Sequence, residues 1–250
     1  MSGDAWIRRF HPVSDAPTRL VCFPHAGGSA TFYFPVSRTL SPEIDVIAIQ
    51  YPGRQDRRSE SCVDSIGELA DIIAAHLEPL ADKPITLFGH SMGAMVAFEV
   101  ARRMEKGGTQ PLKLFASGRR APDCYRDERM HLASDDGLID ELKSLSGTDS
   151  AVLGDEEILR MILPSVRSDY KAVETYKYHE GPLLNCPITV LTGDNDPMVT
   201  AQEAQAWAKH TEGRFDLKVY PGGHFFINDH STAVMRLIRE TAAGRTALAA

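Results

Sequence analysis

The sequence lacks an excess of positive charge and any long apolar segment. Its 250 residues include 27 Lys and Arg against 34 Asp and Glu, for a net charge of -7. Nucleic-acid binders usually present a basic face, and proteins held at anionic membranes usually carry a polybasic patch, so neither partner is expected. No apolar run approaches the about 20 residues of a transmembrane helix, and residues 1–12 lack a secretory apolar core. We therefore expect a cytoplasmic protein.

Cysteine is scarce, and its four positions are far apart in the chain: Cys22, Cys62, Cys124 and Cys186. The absence of a C-x-x-C pair argues against a zinc site, and the length of the chain argues against a disulfide scaffold. The sequence also contains no H-E-x-x-H, G-x-x-x-x-G-K-[ST] or G-x-G-x-x-G pattern. No metal, nucleotide or dinucleotide cofactor is therefore indicated.

Strand-like and helix-like segments alternate along most of the chain. The composition, 43% hydrophobic and 24% charged, fits a single globular domain over residues 1–250. Alternation of this kind predicts an α/β fold with a mostly parallel central sheet and helices on both faces. Apolar runs and spacing predict strands at 19–23, 45–50, 84–88, 112–117, 187–191 and 215–220, and helices at 66–80, 94–104, 201–210 and 231–242.

One interval, residues 121–182, breaks this alternation. It has no convincing strand, and its helical patterns cover 135–145 and 156–178, the second of which contains Pro164. We therefore expect a helical insertion between two core strands. The small and polar residues 243–250 predict a disordered C-terminal tail.

The strongest functional signal is the segment Gly89-His90-Ser91-Met92-Gly93. It matches the G-x-S-x-G nucleophile elbow, and it has the required strand before it and helix after it. The two glycines leave room where strand and helix meet, and the turn places the Ser91 hydroxyl at a helix N-terminus. The pattern predicts a serine hydrolase of the α/β-hydrolase class with Ser91 as nucleophile.

A serine hydroxyl needs a base, and elbow enzymes place their residues in the order serine, acid, histidine. His224 follows the last predicted strand, at a carboxyl end where sites in parallel sheets gather, and is the predicted base. The loop after the preceding strand carries both Asp194 and Asp196. Either carboxylate could orient an imidazole; the pattern alone favours Asp196 slightly, and the other aspartate would cap the loop.

Stabilising an oxyanion requires two backbone N–H groups. Met92, directly after the nucleophile, is predicted to supply one. The loop after the first strand reads Pro24-His25-Ala26-Gly27-Gly28. It resembles the H-G-G-G segment of lipases, so Ala26 is the predicted second donor, with a simple turn as the alternative. Beside His224, Phe225 and Phe226 either line an acyl pocket or belong to the core.

Six segments of the chain resemble the stand-alone type II thioesterases of polyketide and nonribosomal peptide assembly lines. The elbow is common to all α/β hydrolases, whereas the combination of Tyr-Pro-Gly-Arg with Gly-Arg-Arg-Ala-Pro is much more specific. The matching segments run nearly the whole length of the chain: FPHAGG at 23–28, QYPGR at 50–54, GHSMG at 89–93, SGRRAP at 117–122, GDNDP at 193–197 and GGHFF at 222–226.

The resemblance implies a role, a substrate and a choice of acid. It assigns the acid to Asp196 and makes residues 121–182 a mobile helical lid. The substrate it implies is an acyl or aminoacyl group on the phosphopantetheine arm of an acyl or peptidyl carrier protein. The implied role is editing, in which stalled or misprimed groups are removed from a synthase through an acyl-enzyme intermediate.

Other functions stay open on the sequence alone. A small-molecule carboxylesterase or a medium-chain fatty acyl thioesterase would share the same three residues. A non-catalytic binding protein of this fold is disfavoured by the complete Ser, Asp and His set. Arg54, Arg57 and Arg58 could face a carrier protein or its phosphate, or could be surface-loop arginines without a specific function. Arg119, Arg120, Arg126 and Arg129, at the start of the insertion, could receive an acidic carrier protein, or some of them could only pair within the fold.

Overall fold

The computed structural model describes residues 4–145 and 156–246. Seven strands within these residues form one sheet in the order β1-β3-β2-β4-β5-β6-β7. Only β1 is antiparallel to its neighbour. The strands are β1 (Ile7–Arg8), β2 (Arg19–Phe23), β3 (Asp45–Ile49), β4 (Ile85–His90), β5 (Lys113–Ser117), β6 (Ile188–Gly193) and β7 (Phe215–Tyr220).

Helices connect these strands, and most connections cross over to a parallel neighbour. The α-helices of the described residues are α1 (Phe34–Leu40), α2 (Ile66–Leu77), α3 (Met92–Lys106), α4 (Asp135–Leu145), α5 (Glu156–Glu174), α6 (Ala201–Gln205), α7 (Phe226–Asp229) and α8 (Ser231–Thr246). Short 3-10 turns extend α2 through Leu80 and α6 through His210. No helix within these described ranges is long and apolar enough to cross a membrane.

The central strands are buried on both faces. Val21 and Phe23 of β2 belong to the apolar cluster that includes α2 and α3, whereas Leu20 and Cys22 belong to the cluster that includes α1 and α8. Because side chains alternate across a strand, the burial of every residue of β2 requires helices on both sides. The predicted layered α/β architecture is confirmed.

The observed bounds lie within a few residues of most predicted ones. β1 and α1 were not predicted. The first is only two residues long, and α1 carries Pro35 in its first turn, where proline is compatible with a helix. At the C-terminus, α8 continues to Thr246, into the segment expected to be disordered. Residues 247–250 lie outside the described residues.

Two helices, α4 and α5, occupy the interval between β5 and β6. The described parts of 121–182 contain no strand, as predicted, and residues 146–155 of that interval lie outside the described residues. α5 ends at Glu174, earlier than the predicted 178. The two helices enclose a small apolar cluster of their own, formed by Leu138, Ile139, Leu142, Leu159, Leu163, Val166 and Tyr170.

Candidate active site

Ser91 lies alone between β4, which ends at His90, and α3, which begins at Met92. Its backbone has φ 54° and ψ -120°, a conformation that is costly for a residue with a side chain. A Cβ on Gly89 would overlap the backbone of Gly93, and a Cβ on Gly93 would overlap the Phe23 carbonyl. These overlaps are the physical reason for both glycines of the elbow.

A backbone hydrogen bond fixes the turn at Ser91, and the Ser91 side chain faces a cavity. The Ser91 N–H donates to the Ser117 carbonyl at 2.8 Å, which fixes the elbow against the end of β5. Within residues 4–145 and 156–246, no hydrogen bond engages the Ser91 hydroxyl. This hydroxyl faces a cavity of about 230 Å³ that is also lined by Ala26, Met92 and His224. The structure therefore brings four of the predicted site residues to one cavity.

His224 is held by Asp196. The loop after β7 carries the imidazole and the loop after β6 carries the carboxylate, and both side chains are buried. Nδ1 of His224 lies 3.0 Å from each carboxylate oxygen of Asp196. A carboxylate accepts hydrogen bonds, so this contact selects the tautomer of a neutral imidazole that carries its proton on Nδ1 and leaves Nε2 as the acceptor. Asp196 Oδ1 also accepts the Met198 N–H at 2.8 Å, which fixes the carboxylate.

Asp194, the competing carboxylate, shapes the loop instead. It is exposed and accepts the Gly222 N–H at 2.9 Å and the Asn195 side-chain amide at 2.8 Å. These bonds tie the loop after β6 to the loop after β7. Of the two aspartates that the pattern offered, the structure places Asp196 against His224.

Other histidines that follow Ser91 in the chain are engaged elsewhere. His131 bonds to Glu174, His210 to Asp123, and His230 to the Pro221 carbonyl. The last two contacts have lengths of 2.9 Å. These side chains therefore serve local structure, and His224 is the histidine that lines the Ser91 cavity.

Two backbone N–H groups, one in the loop after β2 and one at the start of α3, face the Ser91 cavity without an acceptor among the described residues. Gly27 has φ 74°, and the Gly28 N–H closes the turn onto the His25 carbonyl at 2.9 Å. In the described chain, neither the Ala26 N–H nor the Met92 N–H is taken up by a protein acceptor. Both residues line the Ser91 cavity, as an oxyanion site requires.

A buried ion pair holds this loop in place. Asp169 of α5 accepts from both terminal nitrogens of Arg54, at 2.7 and 2.8 Å, and from the Gly27 N–H at 2.8 Å. Arg54 also donates to the Gly28 carbonyl at 3.0 Å. The interpretation of Arg54 as a surface arginine is therefore wrong. Sequence reasoning missed Asp169, although a carboxylate on the apolar face of α5, beside Val166 and Tyr170, is a signal for it.

Arg57 is buried as well, which corrects its assignment to a surface loop. It donates to both Glu60 oxygens, at 2.8 and 2.6 Å, and to the Gln50 carbonyl at 2.7 Å. Its guanidinium also lies 4.4 Å from the centre of the Trp6 ring. Arg58 is exposed.

Phe225 and Phe226 have different surroundings. The Phe225 ring packs against three imidazoles, with centroids 4.9 Å from His25, 4.9 Å from His90 and 5.2 Å from His224. It lines a small cavity of about 30 Å³ that also reaches Ser91 and His224. Phe226 is buried in the core and stacks on Tyr220 at 5.5 Å. Of the two alternatives left open for Phe226, acyl pocket or core, the structure places this ring in the core and not in the substrate-binding wall.

The imidazoles of His25 and His90 are enclosed. Burial, with smaller contributions from His224 and then Arg54, lowers the pKa of His25 to about 3. Burial, followed by His224 and His25, also holds the pKa of His90 well below its ordinary value. His90 Nδ1 contacts the Ser117 hydroxyl at 3.0 Å. Both rings are therefore neutral at physiological pH, so they add no positive charge to the site.

Most arginines near the start of the insertion pair within the fold. Arg120 binds Glu128 at 3.0 and 2.5 Å, Arg126 binds Glu203 at 2.9 and 2.5 Å, and Arg129 binds Asp127 at 3.2 and 3.0 Å. This is the alternative that the sequence left open for these positions. Arg119 differs, because no carboxylate in the described residues pairs with its side chain, and this side chain lines the Ser91 cavity. No group of three or more His, Cys, Asp or Glu side chains in the described chain is placed to hold a metal ion.

The arrangement of strands, elbow and connecting helices is that of an α/β hydrolase. The solved structure of the type II thioesterase BorB from the borrelidin biosynthetic cluster superposes with a TM-score of 0.92 at 49% identity, over 97% of this chain and 99% of that one. The thioesterase domain model matches residues 18–241, and the chain belongs to this family of hydrolases that act on thioesters.

Two curated relatives are thioesterases of Streptomyces. The "Probable cadicidin biosynthesis thioesterase" of Streptomyces griseus is 54% identical over 92% of this chain. Thioesterase PikA5 of Streptomyces venezuelae is 48% identical over 90% of this chain. This chain spans 63% of the length of the first relative and 80% of the second. The predicted similarity to type II thioesterases is confirmed.

Proposed function

We propose that this protein removes acyl or aminoacyl groups from the phosphopantetheine arms of acyl or peptidyl carrier proteins. In this role it edits polyketide or nonribosomal peptide assembly lines that are stalled or misprimed. The observation that carries the proposal is a single cavity with the Ser91 hydroxyl, an imidazole oriented by Asp196 and two free N–H groups. Membership of the thioesterase family supplies the class of ester.

The first chemical step uses the imidazole as a base. Ser91 Oγ attacks the thioester carbonyl carbon while its proton passes to His224 Nε2. Asp196 keeps the imidazole in the required tautomer and stabilises its cation. The carbonyl oxygen becomes an oxyanion that accepts from the Ala26 and Met92 N–H groups, and each such donor contributes about 3 to 4 kcal/mol of transition-state stabilisation.

The second half of the reaction restores the serine. The carbon–sulfur bond breaks, the proton on His224 passes to the leaving sulfur, and the acyl group remains as an ester on Ser91. Water then gives a proton to His224 and attacks that ester. The acid departs as the serine oxygen regains its proton. Apolar side chains around the cavity would hold the acyl chain: Phe225, Met130, Leu142, Leu145, Val173 and Met198.

We infer that the insertion 121–182 is a lid. Tyr170 and Val173 of α5 form part of the cavity wall, and α4 contributes Leu142 and Leu145. A substrate tethered to a large carrier enters such a cavity only if these helices shift or leave a channel. A cytoplasmic location is part of the same proposal, because carrier proteins operate there.

The test compares three substrates with one acyl group: the acyl-carrier protein, acyl-coenzyme A and the ethyl ester. We expect the carrier-bound thioester to have the highest kcat/KM and Ser91→Ala to be folded and inactive on all three. A fluorophosphonate should label the wild type but not Ser91→Ala. Preference for the ethyl ester would instead establish a carboxylesterase. If the folded wild type hydrolyses none of the three substrates and is not labelled by the fluorophosphonate, the protein is a non-catalytic binding protein.

A further inference from the structure

A second cavity adjoins the one at Ser91. It measures about 420 Å³, which is within the usual range for small-molecule sites, and it lies between the residues that follow β5 and those at the end of α5. Arg119, Val173 and Glu174 line both cavities. The two spaces therefore share a wall, and Arg119 lies in it. We call the larger space the outer cavity.

The Arg119 side chain is buried and has no hydrogen-bond or ion-pair partner among residues 4–145 and 156–246. It is 7% exposed, and its Nε is enclosed and unbonded. Across the described residues, no carboxylate or carbonyl accepts from this guanidinium. Its backbone is nonetheless fixed, because the Arg119 carbonyl accepts from the Trp207 indole at 2.8 Å. A buried charge without an acceptor is costly, so this position favours an arriving group that supplies oxygen atoms.

Neighbouring charges do not neutralise Arg119. Glu174 is already bound to His131 and accepts the Met130 N–H at 2.8 Å. Glu128 is held by Arg120. Burial, and next the charge of Arg120, lower the pKa of Arg119 to about 9, so the guanidinium keeps its charge at neutral pH.

The rim of the outer cavity carries two further charges without a partner among the described residues. Lys177 and Glu180 are both exposed, and no ion pair holds either of them. The other lining cations are engaged, since Arg120 and Arg126 bind glutamates. The exposed aromatic ring of Tyr125 completes this side of the rim. Among the described residues, the base of the outer cavity therefore carries the unpaired positive charge of Arg119, and its mouth carries one unpaired charge of each sign, of which Lys177 is the cation.

We propose that the outer cavity holds the pantetheine arm of the thioester substrate, with Arg119 donating to oxygens of the arm beyond the amide nearest the sulfur, which N-acetylcysteamine lacks, and with Lys177 facing the phosphate. The proposal rests on the proposed function. When the acyl carbon is at Ser91, the linear arm must leave the inner cavity through one of its walls. Two amides and a terminal phosphate give the arm oxygen acceptors along its length, and the shared wall offers a free donor to match them.

The experiment uses one acyl group on N-acetylcysteamine, pantetheine and 4′-phosphopantetheine. Arg119→Met should lower kcat/KM about 10- to 100-fold on the two pantetheine substrates, as loss of a charged donor does, and much less on the cysteamine thioester. Arg119→Lys should recover part of this loss. Lys177→Met should cost up to about fivefold, and only when the phosphate is present.

A matched control is available on the edge strand β7, in a cavity that shares no lining residue with the two cavities of the site. Lys218 is an exposed lysine in a separate cavity of about 250 Å³ that also contains Lys113 and Arg214, so Lys218→Met removes the same charge without reaching the site. It should leave all three rates unchanged. The ratio of kcat/KM between two substrates of the same variant does not depend on how much of that variant is folded. Poor folding of Arg119→Met would therefore lower all three rates equally and would not produce the predicted difference between substrates.

Two outcomes would overturn the outer-cavity proposal. Arg119→Met could lower the three rates equally, or it could leave the pantetheine rates at wild-type values. Either result means that the arm does not pass Arg119. A wild type that hydrolyses none of the three thioesters would overturn the proposed function itself, so the two failures are distinguishable.

Discussion

Asp169 of α5 binds Arg54 of the loop after β3 through two parallel hydrogen bonds of 2.7 and 2.8 Å. The same carboxylate accepts the Gly27 N–H, next to the free N–H of Ala26. One carboxylate therefore links the helical insertion to the backbone that is proposed to receive the oxyanion. A shift of α5 would change the position of that backbone.

Asp169→Asn should lower kcat more than it raises KM. The amide keeps the shape but leaves the buried Arg54 charge without a counter-ion, which costs about 3 to 5 kcal/mol of folding free energy. The less firmly held loop should also reduce turnover about 10- to 100-fold. Urea unfolding and steady-state kinetics would measure the two effects.

The matched double variant Arg54→Met/Asp169→Leu separates stability from positioning. Replacing both charges should restore much of the stability, because a buried pair exchanged for apolar side chains is often neutral. Activity should stay low, since the Gly27 N–H has lost its acceptor. Full recovery of kcat in the double variant would show that Asp169 has no positioning role.

The two aspartates of the loop after β6 provide a matched pair. Asp196→Asn should reduce kcat by about four orders of magnitude, because an amide at this position favours the wrong imidazole tautomer. Asp194→Asn should cost far less, since it affects only the turn contacts to Gly222 and Asn195. Steady-state kinetics of both variants would measure the two values of kcat. A larger loss of kcat in Asp194→Asn would identify Asp194 as the acid.

The positive φ of Ser91 predicts an unusual order of stability. Glycine adopts this backbone region readily and alanine does not, so Ser91→Gly should be more stable than Ser91→Ala by about 0.5 to 1 kcal/mol. The exposed Ser144 in the helix α4 is a suitable control, and there alanine should be better than glycine by about 1 kcal/mol. Chemical denaturation would test both pairs. The same order at both positions would argue against strain at the elbow.

Acid should destabilise the fold through the buried His25. In the unfolded chain this imidazole binds a proton below its ordinary pKa of 6.5, whereas in the fold it does so only near 3. The unfolded state thus gains a proton first, and stability falls as the pH drops from 6.5 toward 3, by about 1.4 kcal/mol per pH unit. Between pH 6.5 and 5, His25→Gln should show a shallower slope in denaturation experiments. An unchanged slope would contradict the enclosure of His25.

Local patterns predicted the frame of the fold and the residues at its strand ends. The elbow at Ser91 and the loop of His224 could be predicted because each consists of consecutive residues, with glycines at a turn that directly follows a strand. The alternation of strands and helices gave the parallel sheet by the same logic.

The remaining features depend on contacts between distant segments. The pairing of Arg54 with Asp169, and the lack of a partner for Arg119 within the described part of the chain, follow from how α5 packs over the loops, which no local spacing reveals. The choice between Asp194 and Asp196 likewise depends on which carboxylate the loop turns toward His224. Phe226 and Phe225 are adjacent in sequence and diverge only because α7 begins between them.

The order of the strands along the chain has a consequence for biosynthesis. Ser91 follows β4, in the first half of the sequence, whereas His224 follows β7, the last strand and the edge of the sheet. A chain leaving the ribosome therefore exposes the serine well before the imidazole exists. Until β7 has paired with β6, nothing can accept the hydroxyl proton. In the proposed mechanism, hydrolysis thus begins only after β7 and His224 have been synthesised, and a half-made chain cannot hydrolyse the thioesters that are proposed as its substrates.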